Sequence, residues 1–247
     1  MRLSGEIAIV TGAGKGIGKE IALALGAEGA TVVAVSRTKA DLDKVVKEIT
    51  DNGGTAVALP RDLTDSSQVQ SMVDEVVETY NKIDILVNNA GGYPKEIYNI
   101  AEQQPIKIWD WKEEQWDQII KTNLKIPFLC INKVIPVMIK QKKGNIVNIS
   151  SRMGRIASQM GAYAAAKSAI VTLTKTTAIQ ALEYGIKCNA VSPGILDTPG
   201  QRVYNHSVGQ DKVAMGKAAD VAKAVLYLIC DSPANMAGQS MDLFTTV

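Results

Sequence analysis

Ile7-Ala8-Ile9-Val10-Thr11-Gly12-Ala13-Gly14-Lys15-Gly16-Ile17-Gly18 is the stretch that decides the fold of this chain. Its first five residues are a short apolar run, the pattern of a strand buried on both faces. Gly12, Gly14, Gly16 and Gly18 then make a turn in which the backbone can take positive φ and approach a ligand closely. A helix from about Gly16 to Glu28 follows, and the amides of its first turn would face a pyrophosphate. The spacing is not the common G-x-G-x-x-G fingerprint, because Ile17 stands at the third glycine position.

Outward from this unit, short apolar runs alternate with longer segments of helical period. Strands are predicted at Thr31–Ser36, Thr55–Leu59, Asp84–Asn88, Asn145–Ser150, Lys187–Ser192 and Ser240–Leu243. Thr38 opens a helix with Asp41 in capping-box spacing. A helix covers Ser66–Tyr80, starting near Thr64 or Asp65. A long helical region covers Glu113–Lys143, with a bend expected at Pro127 or Pro136. Gly161–Tyr184, ended by Gly185, and Ala218–Cys230 complete the set. This alternation predicts an α/β fold: one domain over residues 1–247, with a doubly wound, Rossmann-type parallel sheet and helices on both faces. Ligands of such sheets bind beyond the carboxyl ends of the strands, near the switch point.

Composition narrows the function. With 46% hydrophobic and 21% charged residues, the 247-residue chain can bury a large core. A net charge of +2 with scattered Lys and Arg argues against a nucleic-acid footprint. The cluster Lys140, Lys142 and Lys143 reads as a solvated last helical turn. Cys130, Cys188 and Cys230 lie far apart, without metal-ligand spacing, and read as buried reduced thiols, which fits the cytoplasm. One histidine, His206, excludes a multi-histidine metal site and is expected on a surface loop. The start reads as no signal peptide, and no apolar run looks long enough to span a membrane.

An acidic residue that would receive a ribose 2′-hydroxyl is expected about twenty residues past the glycine turn. Ser36-Arg37-Thr38 stands there instead. Arg37 can pair with a 2′-phosphate, Ser36 can donate a hydrogen bond to it, and Lys15 can reach the same group. NADP(H) is therefore the expected cofactor. Tyr163-Ala164-Ala165-Ala166-Lys167 places a phenol and an ammonium four residues apart, on one helix face. A cation beside a tyrosine stabilises its phenolate and lowers its pKa, which makes it an acid/base near neutral pH. The pair Ser150-Ser151 lies upstream. Together with the glycine turn, these residues point to hydride transfer.

Over essentially its whole length the chain resembles a classical short-chain dehydrogenase/reductase. Thr11, Gly12, Gly16 and Gly18 match that family's glycine motif. Asp62-Leu63 matches its adenine contact, and Asn88-Asn89-Ala90-Gly91 the motif after the fourth strand, close to the nucleotide. Pro193-Gly194-Ile195 with Thr198 matches the segment on the nicotinamide side. The residues around Ser36-Arg37 and Gly14-Lys15-Gly16 are similar to the NADPH-preferring carbonyl/xylulose reductase branch.

The resemblance implies four roles. Tyr163 would be the general acid/base. Lys167 would lower its pKa and bind the nicotinamide ribose. Ser151 would hydrogen-bond the substrate oxygen, and Asn123 would support a water-linked proton path. The spacing usual in that family, counted back from Tyr163, lands on Ser150, whereas the strand context favours Ser151. The substrate implied is a small ketone, aldehyde, sugar or oxoacyl group. A homotetramer or homodimer pairing the helices that start at Glu113 and Gly161 is also implied. A catalytically weak regulatory or scaffold protein on the same fold is the alternative, and dehydration or epimerisation a third.

The chain departs from the family pattern on the substrate side. The segment from Gly92 to Trp116 is long and carries Tyr93, Tyr98, Trp109 and Trp111, as a pocket wall or as packing. The segment from Gly200 to Gly216, with Tyr204 and His206, stands where the family places a substrate lid and is short here. Asp242-Leu243-Phe244 replaces the usual Asp-Gly-Gly ending.

Overall fold

Among the described residues seven parallel strands form one sheet, in the order Thr55–Pro60, Thr31–Ser36, Ile7–Thr11, Ile85–Asn88, Gly144–Ile149, Ile186–Pro193 and Ser240–Leu243. The computed structural model describes residues 1–93, 106–199, 201–202 and 215–244. Tyr98, Tyr204 and His206 lie outside them. In chain order the sheet strands and helices are β1 (Ile7–Thr11), α1 (Gly16–Ala27), β2 (Thr31–Ser36), α2 (Lys39–Asp51), β3 (Thr55–Pro60), α3 (Ser66–Tyr80) and β4 (Ile85–Asn88). Then come α4 (Glu113–Ile120), α5 (Ile126–Gln141), β5 (Gly144–Ile149), α6 (Gly161–Ala181) and β6 (Ile186–Pro193). A two-stranded pair, β7 (Leu196–Asp197) with β8 (Gly216–Lys217), precedes α7 (Ala218–Leu226) and β9 (Ser240–Leu243).

The period of two along β1 divides the core. Ala8 and Val10 join α1, α2 and α7 in one apolar cluster, while Ile7 and Ile9 join α3, α5 and α6 in the other. Both faces of the strand are therefore dry, which is why it reads as a continuous apolar run. The strand order reverses between β1 and β4. Crossovers leave on opposite faces there, and a crevice opens at the carboxyl ends.

Three local expectations change. Thr38 stands before α2 without a side-chain cap bond, so the capping box with Asp41 does not form, whereas Asp65 caps α3 by accepting from Ser67 N at 2.8 Å. The long helix is interrupted not at a proline but by a π segment, Lys121–Lys125, just before Pro127. The proline ring crowds the carbonyl four residues back, that of Asn123, and brings no N–H to it. The hydrogen-bond register shifts there instead. Finally, the continuous helix Glu113–Gln141 is, by length and composition, apolar enough to cross a membrane, contrary to the expectation from its runs. Here it is a core helix, with Leu129, Cys130, Val134 and Met138 buried.

Cys130 and Cys188 are buried free thiols, and burial pushes both up to about 12. Cys230 is only half-buried. Lys143 reaches Glu6 at 2.6 Å, so one lysine of the basic cluster is paired.

Candidate active site

The nucleotide end is built from backbone. Gly12 sits at φ +66°, where an L side chain is strained. A Cβ on Gly18 would lie 2.2 Å from the Gly12 oxygen and 2.4 Å from Asn89 Nδ2. No other residue type fits that contact. Thr11 latches the turn to the loop after β4: its Oγ1 accepts from the amides of Asn89 and Ala90, both at 3.0 Å, and donates to Val87 O at 3.2 Å. Asn89 Nδ2 returns bonds to Thr11 O and Gly12 O at 3.0 and 3.2 Å. The first turn of α1 has no side-chain cap, since Lys15 precedes it in extended conformation. Its amides remain available to an anion.

At the end of β2, Ser36 Oγ is buried and, among the described residues, has no hydrogen-bond partner. Gly14 lies directly against it, with an ideal Cβ 3.3 Å from Ser36 Oγ. Lys15 and Arg37 are exposed and, among the described residues, have no ion-pair partner. The loop after β3 packs beside them, as Arg61 N donates to Ser36 O at 3.0 Å. Asp62 sits in that loop, its carboxyl held below its ordinary value first by the Thr64 amide, with the Arg37 charge a smaller contribution. Leu63 is buried. An unpartnered hydroxyl, two unpaired cations and a bare helix start form a cradle that fits a phosphorylated dinucleotide. On the other side of the turn, Thr198 packs against Gly16, with an ideal Cβ 3.6 Å away. Pro193-Gly194-Ile195 is held by β9, with Gly194 N donating to Leu243 O at 3.2 Å and Phe244 lying against Gly194.

The reacting end is built from side chains. Ser151 lies beside Tyr163, where its hydroxyl favours the phenolate. Ser151 Oγ also accepts from Met153 N at 3.2 Å, which fixes the serine over the turn Arg152–Gly154. Ser150 faces the other way: it is buried and donates to Lys167 O at 2.8 Å. Of the two serines, only Ser151 meets the phenol.

Lys167 is 5% exposed, and its Nζ donates to Ile149 O at 2.9 Å, over the Tyr163 ring and 5.6 Å from its centroid. Asn123 is fully buried in the π segment. Its Oδ1 accepts from Gly92 N and its Nδ2 donates to Gly92 O, both at 2.8 Å. That reciprocal pair fixes the Gly91-Gly92 corner below the site.

One electrostatic expectation is corrected. An ammonium one turn away was expected to lower the Tyr163 pKa. Burial instead pushes the phenol up, and only the neighbouring Ser151 hydroxyl opposes it. Burial also pulls Lys167 down to about 8. Desolvation acts on both groups and favours their neutral forms. The ammonium is aimed at a backbone carbonyl, not at the phenolic oxygen.

Aromatic rings from the long segment after β4 surround this centre. The Tyr93 ring stands edge-on to Tyr163 at 6.0 Å and to Trp111 at 6.4 Å, and Trp111 meets Trp116 at 6.5 Å. Of the two readings weighed for these rings, the pocket wall fits Tyr93 and Trp111, while Trp109 is 76% exposed.

A family profile described as short chain dehydrogenase matches residues 6–208. The chain belongs to this family. It is thus an oxidoreductase working between C=O and CH–OH groups, and the regulatory alternative is not favoured. It is 36% identical to the 3-oxoacyl-[acyl-carrier-protein] reductase FabG of Thermotoga maritima, over 97% of this chain and 96% of the relative. A solved 3-oxoacyl-[acyl-carrier protein] reductase from Brucella melitensis superposes with a TM-score of 0.87 at 30% identity, covering 99% and 95% of the two chains. An actinorhodin polyketide ketoreductase crystallised with NADPH gives a TM-score of 0.87 at 29% identity, covering 98% and 96%. Short-chain dehydrogenases of this kind use nicotinamide dinucleotides.

Two residues of this site escaped the sequence reading. Asp242, part of the atypical ending, accepts from Arg155 Nε at 3.0 and 3.2 Å and so ties the loop after Ser151 to β9. Arg152 follows Ser151 directly. The only signal for it was a cation placed at the end of an apolar strand.

Proposed function

We propose that this chain reduces a carbonyl to an alcohol with NADPH, using Ser151, Tyr163, Lys167 and Asn123. The observation that carries the reading is Lys167, buried and held by Ile149 O over the Tyr163 ring, with Ser151 beside the same phenol. Bound NADPH supplies the hydride that forms the new C–H bond. The protein handles the proton. As the C=O π bond breaks, Tyr163 gives its phenolic proton to the oxygen, and Ser151 donates a hydrogen bond to that oxygen as charge develops.

A phenol held up by burial is protonated at neutral pH, which suits an acid and favours the reductive direction. Lys167, fixed by Ile149 O, stands where it can hold the nicotinamide ribose and restore the Tyr163 proton. Pro127 has no N–H, so the Asn123 carbonyl lacks its usual helical donor four residues on. A water held near Asn123 would carry the proton path.

Ser36, Arg37 and Lys15 support NADP(H) over NAD(H), because all three can donate to a 2′-phosphate and, among the described residues, none is otherwise paired. Gly12, Gly14, Gly16, Ile17 and Gly18 would hold the pyrophosphate, Asp62 and Leu63 the adenine, and Asn89, Ala90 and Gly91 the ribose. Pro193, Gly194, Ile195 and Thr198 would hold the nicotinamide side. The named relatives support a 3-oxoacyl or similar small carbonyl substrate. Exposed Phe128 and Ile179, on α5 and α6, support a homodimer or homotetramer. The free thiols support a cytoplasmic setting.

The test is a panel of ketones, aldehydes and 3-oxoesters with NADPH and with NADH, followed by cofactor absorbance. Substrate-dependent NADPH oxidation supports the reading. Cofactor binding with no turnover of any carbonyl would sink it.

A further inference from the structure

We infer that Arg152 is the specificity residue of the substrate site and selects carbonyl compounds that carry an anionic group, a carboxylate or a phosphate, near the reacting C=O. This rests on the reductase reading above and narrows its substrate class.

The chain has six arginines, and four are paired with carboxylates. Arg2 meets Glu28 and Asp231, Arg61 meets Glu75, Arg155 meets Asp242 and Arg202 meets Asp197. The remaining two are Arg37 and Arg152. Arg37 follows β2 at the nucleotide end, and Arg152 follows Ser151 at the reacting end. Arg37 is exposed at the adenine end, where a cofactor phosphate accounts for it. Arg152 is in the turn that carries Ser151, and no cofactor phosphate accounts for it.

Arg152 is also partly sequestered. Among the described residues its buried Nε has no hydrogen-bond partner and no carboxylate pairs with its guanidinium. The two terminal N–H groups of a guanidinium make a fork that holds a carboxylate or phosphate by two bonds. In Arg152 the Nε is covered by protein, and the terminal nitrogens are left for such a ligand. Leaving a charged donor dry and unpaired is costly, which makes the position poor as mere surface charge.

The turn around Arg152 is firmly held. Gly154 N donates to Ser151 O at 3.0 Å, and Ser168 Oγ donates to Gly154 O at 3.0 Å. Asp242 neutralises Arg155 on the same loop, so Arg152 keeps the loop's uncompensated charge. A substrate whose carbonyl oxygen sits on Ser151 and Tyr163 would place an anionic substituent a few bonds away against this fork.

The experiment compares matched carbonyls with NADPH: acetoacetate against methyl acetoacetate, and dihydroxyacetone phosphate against dihydroxyacetone. The expected result is a kcat/KM at least about tenfold higher for one anion than for its neutral partner, carried mainly by KM. In Arg152→Met that ratio falls to near one, and Arg152→Lys restores part of it. The pair that shows the effect identifies carboxylate or phosphate.

Calorimetric titration of the protein with acetoacetate and with inorganic phosphate gives a readout free of turnover. Binding lost in Arg152→Met but kept in Arg37→Gln supports the assignment. Three results overturn it: equal kcat/KM within both wild-type pairs, an anion preference that persists in Arg152→Met, or anion binding that depends on Arg37 alone. If no carbonyl is reduced, the reductase reading fails while titration still decides Arg152.

Discussion

The two ends of the cleft are built on different principles. At the nucleotide end the constraints are in the backbone: a glycine held at positive φ, a glycine with no room for a Cβ, and a threonine hydroxyl that satisfies two amides. At the reacting end the constraints are side chains drawn from α4–α5, the loop after β5 and α6. The first design fixes a shape that many chemistries share. The second fixes one particular chemistry, and single substitutions there should change rate more than stability.

The sharpest separation between the ends should come from the serine pair. Ser151→Ala should lower kcat by about 10²–10³-fold, the scale for removing one donor to a developing oxyanion. Ser150→Ala loses only a bond to Lys167 O and should mainly lower thermal stability, by about 1 kcal/mol. Steady-state kinetics alongside melting curves decides this, and the opposite pattern would move the role to Ser150.

At the nucleotide end, Ser36→Asp with Arg37→Leu should shift preference from NADPH toward NADH by about 10–100-fold, because charged hydrogen bonds to the 2′-phosphate are each worth roughly 1.5–3 kcal/mol. Cofactor Kd values for both dinucleotides measure it. Unchanged preference would break the assignment of that cradle.

Gly18→Ala should cost stability and cofactor affinity together. The added methyl meets two neighbours well inside contact distance, a strain of about 1–3 kcal/mol. At Gly53, a Cβ meets nothing within 4 Å. Gly53→Ala strains only its own backbone, at φ +80°, and should leave cofactor affinity alone.

The smallest effect concerns pH. Burial lowers Lys167 to about 8, so its charge is lost as pH rises through that value. Measured as kcat/KM for NADPH, which reports the free enzyme, reduction should fall on the alkaline side of about pH 8. For stability the sign is opposite. A folded pKa below the unfolded one means that the charged lysine penalises folding, fully below about pH 8 and not at all above the unfolded value. Lys167→Met should therefore raise Tm at neutral pH while removing activity.

Much of this contrast was legible in the sequence. β1, β2, α3 and β9 begin and end where the apolar period and turn residues place them. The glycine turn and Ser36-Arg37 could be read because backbone needs and charge are written locally. The reacting end was legible only in part. The helical spacing of Tyr163 and Lys167 shows that they share a face, but not that burial outweighs the ammonium on the phenol. Neither the aim of Lys167 at Ile149 O nor the opposite facing of Ser150 and Ser151 has a local signature, since both depend on how α6 seats against β5. Asn123 could be placed on a helix, yet its grip on Gly92 depends on the π segment that Pro127 induces. Arg152 went unnoticed because its meaning lies in the partners it lacks.

The central claim is that Tyr163 delivers the proton in an NADPH-driven carbonyl reduction. Tyr163→Phe tests it most directly, with NADPH binding and substrate-dependent NADPH oxidation measured on the same protein. The account predicts NADPH affinity within a few-fold of wild type and turnover lowered by about 10²–10⁴-fold. Turnover near the wild-type rate in that variant would contradict it.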